Sequence, residues 1–119
     1  MTLLLISALT DTAAFIGAHG ELFARKTRCV AIMGGVDAHS LDPAEEWMEP
    51  DQSAANHAFD QAAASSVFRA CQELSVRMIV LTRAAAYGAL VPAFIYDELA
   101  TVRHPVAQRL RQAQVRRAG

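Results

Sequence analysis

The stretch from Cys29 to Asp60 constrains the fold more than any other part of the chain. An apolar run, Cys29-Val30-Ala31-Ile32-Met33, stops at Gly34-Gly35, and an acidic loop then leads to Asn56 and Asp60. The run has a strand's length and its β-branched residues. The glycine pair lets the backbone turn sharply, or approach a ligand closely, at the carboxyl end of that strand. In an open α/β sheet that end is where ligands sit.

Reading outward from this stretch gives the rest of the order. Leu3-Leu4-Leu5-Ile6 reads as a first strand, apolar on both faces as a central parallel strand must be. Thr10 can cap the following helix through its hydroxyl, with Asp11 near the positive end and an inward stripe of Ala13, Ile16 and Phe23 with Phe15 and Leu22. Gly17 and Gly20 weaken that helix, which predicts either close packing against a sheet or an early end near Gly20. Strand, helix and strand then make a right-handed βαβ unit.

The Gly34 to Phe59 connection is too long for an ordinary connector, and loops of that length are usually functional. Its Trp47 reads as a lid over apolar surface, with base stacking as the alternative. Asp60 can act as the N-cap of a helix lined by Ala63, Val67, Ala70, Cys71 and Leu74. Met78-Ile79-Val80-Leu81 supplies a third strand, and Pro92 and Pro105 open helices from Ala93 to about Thr101 and from Val106 to about Arg117. The expected fold is α/β: a Rossmann-like parallel sheet of about three strands with flanking helices on both faces. No repeat, low-complexity tract or linker interrupts it, so residues 1–119 read as one domain.

Composition narrows the function classes. With 53% hydrophobic and 19% charged residues in 119, the chain has the material for a core, and general disorder is excluded. No apolar run approaches the roughly 20 residues of a membrane helix, and the N-terminus lacks the basic region of a signal peptide, so the expected location is the cytoplasm, away from membranes. Cys29 and Cys71 form no CxxC pair and read as reduced, buried thiols. A net charge of −1 gives no global attraction for nucleic acid. Half of the twelve acids fall between Asp37 and Asp51, but without the alternating positions and central glycine of a calcium loop they read as solvated surface. Five of the eleven basic residues fall between Arg103 and Arg117, and this basic end decorates the exposed face and C-terminal turn of the last helix, where cations favour the dipole.

Motifs are few. GxGxxG, P-loop, GxSxG, HExxH and CxxC patterns are all absent, which leaves dinucleotide, nucleoside-triphosphate, serine-hydrolase and zinc readings without support. His19, His39, His57 and His104 share no metal-ligand spacing and each reads as a surface or loop histidine.

The order of segments says more. Leu9-Thr10-Asp11-Thr12-Ala13 after a strand, then Val30-Ala31-Ile32-Met33-Gly34-Gly35, then Asn56 and Asp60 before an alanine-rich helix, resembles the middle of the nucleoside hydrolases of the inosine–uridine-preferring type. The resemblance covers about Leu3 to Leu81. Tyr87-Gly88-Ala89-Leu90-Val91-Pro92 and His104-Pro105-Val106 look like a divergent bacterial branch of that family. It implies hydrolysis of the N-glycosidic bond of ribonucleosides, with a nucleoside or ribose-like small molecule as partner and calcium as cofactor. By resemblance, the Thr10 backbone carbonyl would face the calcium, Met33 and Asn56 would reach the sugar, and Asp60 matches the aspartate that opens the next helix.

Each residue also has a plainer role: Thr10 and Asp60 as caps, Met33 as core, Asn56 as loop order. The family's aspartate-rich N-terminal motif and its C-terminal metal aspartate have no counterpart here, and Ala54 replaces a sugar-binding glutamate. A carbonyl and an amide alone cannot hold calcium against water. The expectation is therefore an excised or truncated piece of a larger sheet, impaired or inactive by itself, with no catalytic residue assigned, and with self-association or a missing partner segment covering its apolar edges. Two further readings stay open: a non-catalytic binding or interaction module that keeps the fold, and an unrelated small α/β domain.

Overall fold

The computed structural model describes residues 1–115. The chain divides into two compact units, Met1–Tyr87 and Gly88–Gly119, a division that no linker-like composition marks in the sequence.

The first unit is built on three parallel strands, β1 (Thr2–Leu5), β2 (Cys29–Met33) and β3 (Arg77–Leu81), in the spatial order β1-β2-β3. Parallel strands need crossover connections, and both crossovers carry helices. α1 (Thr10–Lys26) joins β1 to β2, while α2 (Ala55–Ala58) and α3 (Gln61–Glu73) lie between β2 and β3; α4 (Arg83–Gly88) follows β3. Two successive crossovers of one hand, stepping in one direction across the sheet, put their helices on the same face. α1 and α3 accordingly pack against each other.

The register shows what that face buries. Leu3, Val30 and Met78 form one row and Leu5, Ile32 and Val80 the next, packed against Ile16, Phe23, Val67 and Phe68. The opposite rows, Leu4-Ala31-Ile79 and Met33-Leu81, are covered by no helix of this unit: Leu4 is 63% and Ile79 42% exposed. This corrects two expectations. Among the described strands β1 is an edge strand, not a central one, and α1 and α3 lie on one face instead of two, because placing successive crossovers on both faces requires the strand order to reverse.

α1 also departs from expectation. Its N-cap is Leu9, and the Thr10 hydroxyl is engaged elsewhere, so Thr10 is not the cap. The helix runs past Gly20 to Lys26 with a kink at His19 (φ −139°, ψ 38°), and a Cβ at Gly17 or Gly20 would meet nothing, so close packing does not explain those glycines. Ile16 and Phe23 are buried as the stripe predicts, whereas Phe15 and Leu22 are largely exposed.

α3 matches its sequence signals closely. Asp60 is the N-cap and accepts from the Ala63 N–H at 3.0 Å; of the expected stripe Ala63, Val67 and Cys71 are buried, Ala70 is half-buried and Leu74 at the helix end is exposed, while Ala64 and Phe68 join the core. Its C-terminus is a Schellman turn: the Val76 N–H donates to the Cys71 carbonyl at 2.8 Å and Ser75 N–H to Gln72 at 3.2 Å. Ser75 takes the left-handed position (φ 55°) where glycine is usual. Cys29 and Cys71 are free and buried, and burial pushes the Cys71 thiol up to about 11.

The second unit pairs α5 (Phe94–Thr101) with α6 (Pro105–Val115), with Ala107 buried and Arg111 Nε 2.6 Å from Asp97 Oδ1. The expected continuation of the last helix to Arg117, with Arg116 and Arg117, lies outside the described residues. Among the described residues no helix is long and apolar enough to cross a membrane.

Candidate functional site

The end of β2 is where the chain builds a cavity. After Met33 the backbone leaves the sheet, with the Gly34 N–H donating to the Leu81 carbonyl at 3.0 Å. The loop then returns: Val36 bridges Pro50, and the Asp51 N–H donates to the Gly35 carbonyl at 3.0 Å. What reads in sequence as a long irregular loop is thus held back on itself, with a 3₁₀ turn at Ala38–Leu41. Its return delivers α2, and Asn56 on α2 donates from Nδ2 to the Met33 carbonyl at 2.8 Å. A cavity of about 260 Å³ is lined by Met33, Gly34, Ala54 and Asn56 from the end of β2 and the returning loop, and by Leu81, Thr82, Arg83, Ala86 and Tyr87 from β3 and α4. Met33 is 46% exposed and faces this space, so it is not core.

The close return of the loop rests on one interlock. His57 is fully buried, packs edge-on against Phe68 with centroids 5.5 Å apart, and places Nδ1 2.9 Å from the Asp51 carbonyl. A carbonyl only accepts, so Nδ1 carries the proton. A Cβ on Gly34 would collide with the imidazole, and one on Gly35 would lie 2.9 Å from the Asp51 Cβ. The glycine pair therefore makes room for the returning loop. His57 is not the surface histidine that its sequence context suggests; the signal that could have found it is the glycine pair, which requires a bulky neighbour.

Thr10 and Asp60 meet apart from the cavity wall. The Thr10 hydroxyl donates to Asp60 Oδ2 at 2.6 Å, tying the start of α1 to the start of α3. This bond and the Ala63 N–H hold the Asp60 carboxyl below its ordinary 3.8. Asp51 is likewise lowered, first by the Ser53 hydroxyl at 2.6 Å and then by the Ser53 N–H at 2.8 Å, with Arg83 contributing through space. Trp47 is half-buried, with the Arg69 guanidinium over its ring at 4.3 Å, and Arg69 also pairs with Glu49 at 3.5 Å.

A scan against models of known families finds no match, and neither does a comparison with curated proteins. Solved structures do match. The type III effector XopQ, in a structure complexed with adenosine diphosphate ribose, superposes with a TM-score of 0.83 at 34% identity, over 96% of this chain and 31% of XopQ. The effector protein XOO4466 gives 0.84 at 36% identity over the same shares. The fold is a partial nucleoside-hydrolase-like fold. The chain spans about a third of the length of these neighbours.

Calcium is the metal this nucleoside-hydrolase-like fold implies, and the residues present do not fit it. Among the described residues no three His, Cys, Asp or Glu side chains gather as a metal group. Asp60 accepts one bond on each carboxylate oxygen, from Thr10 and from the Ala63 N–H, and neither Thr10 nor Asp60 lines the Met33 and Asn56 cavity. Ala54, standing where the family resemblance expects a glutamate, lines the cavity wall as a methyl group.

Proposed function

We propose that this chain recognises a ribose-bearing small molecule in the Met33–Asn56 cavity, as part of a nucleoside-hydrolase-like protein of the cytoplasm whose reaction is hydrolysis of a ribonucleoside N-glycosidic bond. The observation that supports it is convergence: Met33 and Asn56, 23 residues apart, line one cavity at the carboxyl end of the central strand. Asn56 spends one N–H on Met33 and keeps a second N–H and Oδ1 for sugar hydroxyls. XopQ, so similar over nearly the whole of this chain, holds an adenosine diphosphate ribose.

The chain alone binds without cleaving. Glycosidic hydrolysis needs carboxylates, or a metal held by them, to activate water and to support the developing charge, and the cavity wall carries none. That favours the binding-module reading for the isolated 119 residues. Calorimetry with ribose, inosine and ADP-ribose, with and without calcium, and with release of free base followed in the same samples, tests both halves. Binding without base release is expected. Base release would overturn the inactive reading, and failure of every ribose compound to bind would overturn the function.

A further inference from the structure

We infer that the cavity selects phosphorylated ribose over neutral ribose, with Arg83 as the residue that decides it; this rests on the ribose-binding reading above. The charge of the cavity lining points to it. Arg83 is the one residue of fixed charge on the lining, and the rest is apolar apart from Asn56, Thr82 and Tyr87. Among the described residues Arg83 makes no ion pair and no hydrogen bond from its guanidinium, whereas Arg69 and Arg111 are both paired. Asp51, which feels its charge through space, already accepts the Ser53 N–H and hydroxyl on Oδ1 and does not line the cavity. An arginine fork with free donors beside a low-dielectric wall matches a phosphate bidentately, which a neutral hydroxyl cannot reproduce.

A neighbouring group supports the same reading. The Thr82 hydroxyl accepts the Ala85 N–H at 3.3 Å, which leaves its own O–H free to donate to a phosphate oxygen one residue from Arg83. Asn56 lines the same cavity from a different element, α2, so sugar and phosphate have separate partners. Size agrees. At about 260 Å³ the space is smaller than the roughly 300–1,000 Å³ of sites that bury drug-sized ligands, so it takes a ribose phosphate and leaves a base at the rim, where the Tyr87 ring is exposed.

The test is calorimetry on the 119-residue chain with ribose, ribose 5-phosphate and inorganic phosphate, repeated for Arg83→Ala, Arg83→Gln and Arg83→Lys. The expected result is ribose 5-phosphate binding about 10- to 100-fold tighter than ribose. Arg83→Ala and Arg83→Gln should bring that ratio close to one, and Arg83→Lys, which keeps the charge but loses the fork, should keep part of it. Arg83 is exposed, so folding of the variants is expected, and far-UV circular dichroism checks it. Equal affinity for ribose and ribose 5-phosphate in the wild type overturns the inference and leaves ribose binding standing. A preference that survives loss of Arg83 overturns it too, as does inorganic phosphate binding as tightly as the sugar phosphate. Failure of both sugars to bind overturns the function reading and this inference together.

Discussion

The Asn56 side chain donates its amide to the main-chain carbonyl of Met33 across 2.8 Å, and so clamps α2 to the end of the central strand. Strand end and returning loop thereby become one wall. Replacing Asn56 with Ala removes the clamp and a sugar partner at once. The expected cost is about 0.5–1.5 kcal/mol of stability and about a tenfold loss of ribose affinity, read by thermal denaturation and calorimetry.

Gly34→Ala should destabilise the protein by about 1–3 kcal/mol, because the new methyl enters the space of the His57 imidazole. A double-mutant cycle isolates the effect. Gly34→Ala combined with His57→Ala should cost clearly less than the sum of the two single changes, since the methyl occupies volume the imidazole vacates. Additive costs in urea denaturation would show that the two residues do not interlock.

Asp60 makes stability depend on acid pH. Its folded pKa lies below 3.8, so its contribution is fully present above that value and is lost as pH falls through the lower, folded one. Thr10 is the larger cause, so Thr10→Val should flatten the loss as pH falls below 3.8 while leaving the α3 cap in place. Melting temperatures of wild type and variant across that range check the sign.

Ser75→Gly should stabilise the protein by about 0.5–1 kcal/mol, because glycine meets no Cβ penalty at φ 55°. The same Schellman bonds from Val76 and residue 75 remain. A drop in melting temperature would count against the strain assignment.

Ile32 and Leu4 separate the two faces of the sheet. Ile32, fully buried on the helix side, should cost about 2–5 kcal/mol when cut to Ala. Leu4→Ala, on the uncovered side, should cost well under half of that. Equal costs in denaturant titrations would mean that something covers the Leu4 face in solution.

Local signals carried much of this structure. Three apolar runs of strand length, the Asp60 cap, the α3 stripe and the prolines before α5 and α6 are contacts between near neighbours, and near-neighbour chemistry is written in order along the chain. The segment order around Met33-Gly34-Gly35 was enough to expect a nucleoside-hydrolase-like sheet. Only the tertiary structure decided the rest. It made β1 an edge and left Leu4 and Ile79 uncovered, because crossover direction is a property of the whole sheet. It buried His57 against Gly34, took the Thr10 hydroxyl from its own helix to Asp60, and brought Arg83 and Asn56 into the lining of one cavity. Each of these joins residues distant in sequence, and such pairings are settled by which surfaces pack together, a choice that no local pattern encodes.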